Sequence, residues 1–287
     1  MKLFLFEMSE FYKIDLENSI NSGQVFLWKK WQNNWYGIDG QNVLRVDKQG
    51  KIKSYSKQKI DFFREKDDVE KIIRSICKDK ITKYAVKKYQ GLRLLRQDPF
   101  QCYISFIVSS NSNIQKIKFT LENICKKFGD RVFFDGMEFF LFPEPKKLAS
   151  ALLEEIKNCG AGYRSKHIIE ASKKVVSGEV NFECLKKSDY EQAKKTLCDV
   201  SGIGNKVADC ILLFSLEKFE AFPLDRWMIR ILEKHYSDIF ELDTKNITEK
   251  QYRILHEKTR EYFGPYSGYA QQFLFKMERE NYKKKWL

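Results

Sequence analysis

The stretch from Asp199 to Cys210, DVSGIGNKVADC, sets a lysine two residues after a pair of glycines and at the head of an apolar run. The amino end of a helix carries partial positive charge and disfavours an ammonium. Lys206 is therefore placed for an amine nucleophile, which must shed its proton to react. The plainer alternative is a lysine that reaches out to a phosphate. Further along, Asp225 follows Phe222-Pro223-Leu224 and reads as the N-cap of a helix. Backbone amides donating to an N-cap carboxylate keep it ionised. A fixed carboxylate beside an amine nucleophile suits a reaction through a sugar oxocarbenium ion, whose charge it stabilises.

These groups need a frame. A helix ending at Val200, the turn SGIGN and a second helix from Lys206 make a tight αα-hairpin. Gly202 and Gly204 permit backbone shapes and close approaches that a Cβ blocks. With Val207 they bring backbone amides to a hairpin and a helix start, a natural clamp for a phosphate. A structural turn, or a hairpin that only grips DNA, uses the same glycines.

Before the hairpin the chain changes character once. Up to about residue 58 the pattern is strand-like. Asp39-Gly40 sits between two apolar-rich runs as a hairpin signal, and Asp47 to Gly50 offers a second turn before KIKSY. From about residue 68 helical periodicity takes over. Asp98-Pro99 and Ser112-Asn113 start helices, Gly129 and Gly160 stop IQKIKFTLENICKKF and LASALLEEIKNCG, and Gly264-Pro265 interrupts the last helical stretch. This predicts an α+β protein, with an antiparallel β domain over 1–90 and a helical region over 91–287.

The chain carries 52 Lys and Arg against 39 Asp and Glu, a net charge of +13, which points to a polyanionic partner. No run approaches the ~18 apolar residues of a membrane span. The opening MKLFLFEMSE is too short in apolar residues for a secretory leader. A soluble intracellular protein is expected. The seven cysteines show no C-x-x-C pair, which predicts free, mostly buried thiols and no zinc or iron–sulfur site.

The string GIGNKVADC…FPLDRWMIRI resembles the helix–hairpin–helix DNA glycosylases with a Gly/Pro-Asp signature, and within them the 8-oxoguanine DNA glycosylase family. The resemblance extends to NSGQVFLW, GLRLLRQDPFQCYISFIVSSNSNI, GAGYRSKHI and FGPYSGYAQQFLF, so five blocks fall in the right order across nearly the whole chain. It implies an N-terminal sheet like that of the TATA-binding protein and a two-part helical region flanking a DNA cleft. It also implies a monomer acting on lesion-bearing double-stranded DNA, in the nucleoid of a prokaryote or the nucleus of a eukaryote. In this family Lys206 would attack the sugar C1′, displace the oxidised base and form a Schiff base. β-Elimination would follow, with Asp225 steadying the cation. No metal or other cofactor is required for the chemistry, and a monovalent cation held by hairpin carbonyls is implied.

The same resemblance assigns the reading of DNA. The base must leave the duplex to be reached. Cys210 and Phe275 would sandwich it, and Gln271 would contact its pairing edge. The carbonyl of Gly23 would accept the N7–H that 8-oxoguanine has and guanine lacks. A wrong base would cost on the order of 1–3 kcal/mol per unsatisfied group. Asn111 would fill the vacated gap, Tyr163 would wedge the duplex, and Arg164 would read the orphaned cytosine. Two positions depart from the eukaryotic members. Lys116 stands for a second cytosine-reading arginine but lacks its planar fork, which leaves the opposite-base preference open. Trp227 replaces a phosphate-contacting histidine. Related enzymes acting on oxidised pyrimidines or adenine mispairs usually carry four cysteines after the aspartate; here no cysteine follows Cys210.

Overall fold

The computed structural model describes residues 13–57, 60–240 and 248–284. The opening stretch read for a leader lies outside them. The chain divides into two compact units, each assembled from separate stretches: 1–22, 63–95 and 218–287 form one, 23–62 and 96–217 the other.

The second unit holds the predicted sheet. Strands β1 (Trp28–Trp31), β2 (Asn34–Asp39), β3 (Asn42–Val46) and β4 (Ile52–Ser54) pair antiparallel in chain order. The Asp39↔Asn42 pairing puts Gly40, at φ +57°, in the expected turn. Gly37 is demanded by space, because a Cβ there would lie 2.0 Å from the Trp28 ring. Sequence order missed a second hairpin, β5 (Arg131–Phe134) with β6 (Met137–Phe140). Its Asp135-Gly136 tip carries the same turn chemistry as Asp39-Gly40. Asp135 docks on the sheet, accepting from Arg45 at 2.9 Å and Lys53 at 2.7 Å.

Helix α4 (Pro99–Ser109) is buried along almost its whole length and packs on α11 (Asn205–Ser215), with Phe106 stacked on Phe214 at 5.4 Å. Both helices are apolar over most of their surface, as buried helices are. Gln101 ties α4 to the sheet, accepting from Gly40 N and donating to the Ile38 carbonyl, each at 2.8 Å. Asp98 caps α4 through Gln101 N at 2.7 Å, and its own N–H donates to Asp39 at 2.7 Å. Burial, then the charge of Asp98, pushes the Asp39 carboxyl up to about 7.

Between these lie α5 (Ile114–Phe128), capped by Asn113, then α6 (Pro145–Ala149), α7 (Leu153–Ile156), α8 (Arg164–Val176), α9 (Phe182–Lys187) and α10 (Tyr190–Cys198). One expectation needs correction. LASALLEEIKNCG is not one helix. The Ser150 hydroxyl bonds back to the Lys146 carbonyl at 2.9 Å and the chain restarts at Leu152, whose N–H donates to Glu155 at 3.2 Å. A π turn over Lys157–Ala161 then ends with Gly160 at φ +93°. Gly129 does stop α5, yet at φ −82° it needs no left-handed freedom; a Cβ would lie 1.9 Å from the Leu141 carbonyl oxygen.

The first unit is helical: α1 (Leu16–Ile20), α2 (Val69–Ile76), α3 (Lys80–Lys88), α12 (Arg226–Tyr236), α13 (Glu249–Phe263) and α14 (Ser267–Lys284). Helix α1 precedes the sheet, where a strand-like start was expected. Asp79 caps α3 and accepts from the hydroxyls of Tyr236 and Tyr262, both at 3.2 Å. Gly264, at φ +78°, ends α13 where the glycine-proline pair predicted a break. An antiparallel sheet early in the chain followed by a mostly helical remainder is the α+β class expected.

Candidate active site

Helix α10 closes at Cys198, two residues before the expected Val200, and α11 opens at Asn205, one before Lys206. Gly202 adopts φ +88° in the turn between them. Gly204 is the N-cap of α11 and supplies no side-chain hydrogen bond, so the first-turn amides, Val207 among them, have no capping oxygen. The Val207 side chain is itself buried.

Lys206 is the second residue of α11 and half-buried. Its Nζ lies 3.5 Å from Ser109 Oγ and 5.4 Å from the Phe106 ring centroid. Ser109 Oγ donates to the Phe106 carbonyl at 2.7 Å, which turns its lone pairs toward the lysine. Cys210, one turn further on, is buried. Between them Asp209, fully buried, accepts from the Tyr190 hydroxyl and from Lys194 Nζ at 3.1 Å. This bond set ties α10 to α11, and removal of one partner would strand a buried charge.

In the same unit three predicted DNA-reading residues meet. Asn111 holds a left-handed φ of +47°. Arg164 donates from Nε to the Ser110 carbonyl at 2.7 Å and from Nη2 to the Asn111 carbonyl at 3.0 Å, bracing that strained turn. Tyr163 is 60% exposed, with the Arg164 guanidinium 4.6 Å from its ring centroid. Lys116 is exposed. Its Nζ lies over Phe119 at 5.2 Å and beside Gly160. Gly23 has φ +92°, a conformation that favours glycine.

The first unit carries the rest. Asp225 is the N-cap of α12, with Oδ1 accepting from Trp227 N at 2.9 Å and Met228 N at 2.8 Å, as the sequence predicted. Gln271 on α14 is 4% exposed and donates to the Pro223 carbonyl at 3.3 Å, beside the loop that leads to Asp225. Its Oε1 is buried with no hydrogen-bond partner. An unsatisfied buried acceptor costs about 1–3 kcal/mol, which a ligand donor would relieve. Phe275 lies one turn on and half-buried, on the same face of α14. Trp227 is half-buried with the Arg230 guanidinium 5.6 Å from its ring centroid.

Sequence reasoning missed Ser109 and Phe106, which read as core of an apolar helix. It also missed the partners of Asp209, although a lone carboxylate in the run VADCILLF signals a buried one that needs pairing. Among the described residues no group of three or more His, Cys, Asp or Glu could hold a metal ion, and no helix is long and apolar enough to cross a membrane. All seven cysteines are free thiols, with Cys184 exposed.

Residues 8–103 match the 8-oxoguanine DNA glycosylase N-terminal domain, and residues 104–257 match the HhH-GPD superfamily of base excision DNA repair proteins. A probable N-glycosylase/DNA lyase of Methanothermobacter thermautotrophicus is 32% identical over 246 residues, covering 78% of this chain and 75% of that protein. The N-glycosylase/DNA lyase of Saccharomyces cerevisiae is 33% identical over 215 residues, covering 66% and 57% respectively. The Clostridium acetobutylicum 8-oxoguanine glycosylase/lyase, solved with double-stranded DNA containing cytosine opposite 8-oxoG, superposes with a TM-score of 0.83 at 31% identity. That match covers 94% of this chain and 93% of the other. Two consecutive domain matches, a relative aligned over most of both lengths and a full-length superposition agree: this chain belongs to the 8-oxoguanine DNA glycosylase family of the HhH-GPD superfamily.

Proposed function

We propose that the protein is a bifunctional DNA glycosylase and abasic-site lyase that excises 8-oxoguanine from double-stranded DNA in base excision repair. The family assignment supports the activity, and the bacterial relative bound to an 8-oxoG·C duplex supports the substrate. The observation that carries the reading is a lysine in the first turn of an uncapped helix, directly after a glycine hairpin, in a chain of this family.

In the proposed reaction the hairpin amides at Gly202, Gly204 and Val207 hold the DNA backbone while the lesion is extruded. Asn111 takes the vacated place, Tyr163 enters the stack, and Arg164 with Lys116 faces the orphaned base. Cys210 and Phe275 enclose the lesion, the Gly23 carbonyl accepts its N7–H, and the free Oε1 of Gln271 accepts from its pairing edge. The Lys206 lone pair bonds to C1′ as the glycosidic bond breaks and its electron pair leaves with the base, which gains a proton. Asp225 offsets the positive charge on the sugar. Ring opening gives the Schiff base. Loss of a C2′ proton then expels the 3′ phosphate. A monovalent cation on carbonyls of the 199–204 turn would suit hard oxygen donors and would help hold the hairpin on a phosphate. The site of action is the nucleoid of a prokaryote or the nucleus of a eukaryote.

Borohydride added to a reaction on an 8-oxoguanine duplex should trap a covalent adduct with the native protein and none with Lys206→Ala. Full trapping by that variant would remove the lysine from the mechanism. Incision of the lesion opposite each of the four bases reads what Lys116 does to partner choice.

A further inference from the structure

His167 lies one helical turn after Tyr163 on α8. Its ring meets Tyr163 edge to face, with centroids 6.5 Å apart at 84°. The opposite flank reaches the α10–α11 turn, where Nδ1 lies 3.1 Å from Ser201 Oγ. It also covers Gly202: a Cβ on that residue would stand 2.5 Å from His167 Cγ and 2.7 Å from its Cβ. Gly202 therefore needs its missing side chain twice, for φ +88° and for the imidazole above it. The ring is half-buried between two elements that are themselves exposed, Tyr163 and the hairpin turn.

We propose that His167 is a positioning residue: wedged between Tyr163 and Gly202, it keys the wedge helix to the hairpin and sets where the tyrosine enters the duplex relative to the gripped phosphate. The inference rests on the DNA-reading roles given above. It touches neither the lesion nor the sugar. It acts through Tyr163, whose ring it backs, and through the turn, whose height above α8 its imidazole sets. A misplacement of about 1 Å at such a joint can cost up to roughly a hundredfold in a positioned reaction.

The test compares His167→Ala, which empties the joint, with His167→Phe, which keeps a ring of similar breadth and drops the bond to Ser201. Single-turnover excision at saturating enzyme is measured together with affinity for undamaged duplex, thermal melting, and fluorescence of 2-aminopurine placed beside the lesion to report unstacking. His167→Ala should lose about tenfold in the saturating rate and most of the fluorescence rise. Its affinity for undamaged DNA should stay within about twofold, and its melting should still be cooperative. His167→Phe should recover most of both losses. An alanine variant with an unchanged saturating rate overturns the key, as does a loss seen only as weaker binding. A phenylalanine variant that folds but fails like alanine does the same, and it decides the matter if alanine does not fold. Native protein that neither excises nor traps would instead strike the functional reading itself.

Discussion

Helices α11 and α12 begin in opposite ways. Gly204 gives α11 no side-chain cap, and its first-turn amides are left for another acceptor. Asp225 gives α12 a carboxylate that takes two of them, from Trp227 and Met228. The same orphan donors are thus left open in one helix, where the proposed function puts a phosphate, and hold a carboxylate in the other. A third start, α4, shows what burial adds. There Asp98 caps the helix, Asp39 accepts from the Asp98 N–H, and desolvation raises both carboxyls. At α4 desolvation moves the cap and its partner above the ordinary carboxylate range.

The largest effect should come from removing the charge of the α12 cap while keeping its shape. Asp225→Asn should lower single-turnover excision by about 10²–10³-fold, the scale of losing one preorganised electrostatic group. Melting should barely move, since asparagine caps as well as aspartate. An excision rate within a few fold of native would make Asp225 a cap and nothing more.

Next comes the Asp39–Asp98 pair at the start of α4. Because the folded Asp39 carboxyl sits near 7 against 3.8 in the unfolded chain, the folded state holds a proton that the unfolded one has lost between those values. Stability should fall as pH rises from about 4 to about 7 and then level off, by up to about 1.4 kcal/mol per pH unit. Denaturant titrations of Asp39→Asn across that range should lose most of the slope; an unaltered slope would assign it elsewhere.

A smaller effect tests the bare start of α11. Nothing lies within 4 Å of a Cβ built on Gly204, whose backbone is extended. Gly204→Asp should therefore fit, cap the helix and hold or raise stability, with glycine-to-aspartate gains of a few tenths of a kcal/mol. It should also weaken duplex binding about tenfold and reduce the salt slope by about one ion, as the added carboxylate takes the place of a phosphate. Unchanged binding would move the clamp away from these amides. Smallest is Ser109→Ala, expected to slow borohydride trapping by a few fold by removing an oxygen beside the Lys206 amine; equal rates would make that contact incidental.

The three helix starts were legible because caps are local. Asp-Pro, Asp after Pro-Leu and Gly before an apolar run each act within three residues, and a sequence displays them. The Asp39-Gly40 hairpin was legible for the same reason. Overlooking Asp135-Gly136 was a failure to apply that rule inside a helical region. What could not be read was long-range. Nothing local tells that Ser109 faces Lys206, that Lys194 neutralises Asp209, or that Leu141 presses on Gly129. Roles given to Tyr163 and Arg164 came from resemblance alone, and the structure adds why they stand together: one guanidinium braces the turn that holds Asn111.

The interleaving of the two units has a practical edge for anyone who would dissect the molecule. The backbone passes between them four times, after residues 22, 62, 95 and 217. No single proteolytic nick or truncation can free one half intact and leave the other whole. On a ribosome the half that bears the amine has all its segments once residue 217 has emerged, while the half that bears the carboxylate still awaits everything beyond. A stalled nascent chain would therefore carry Lys206 without Asp225.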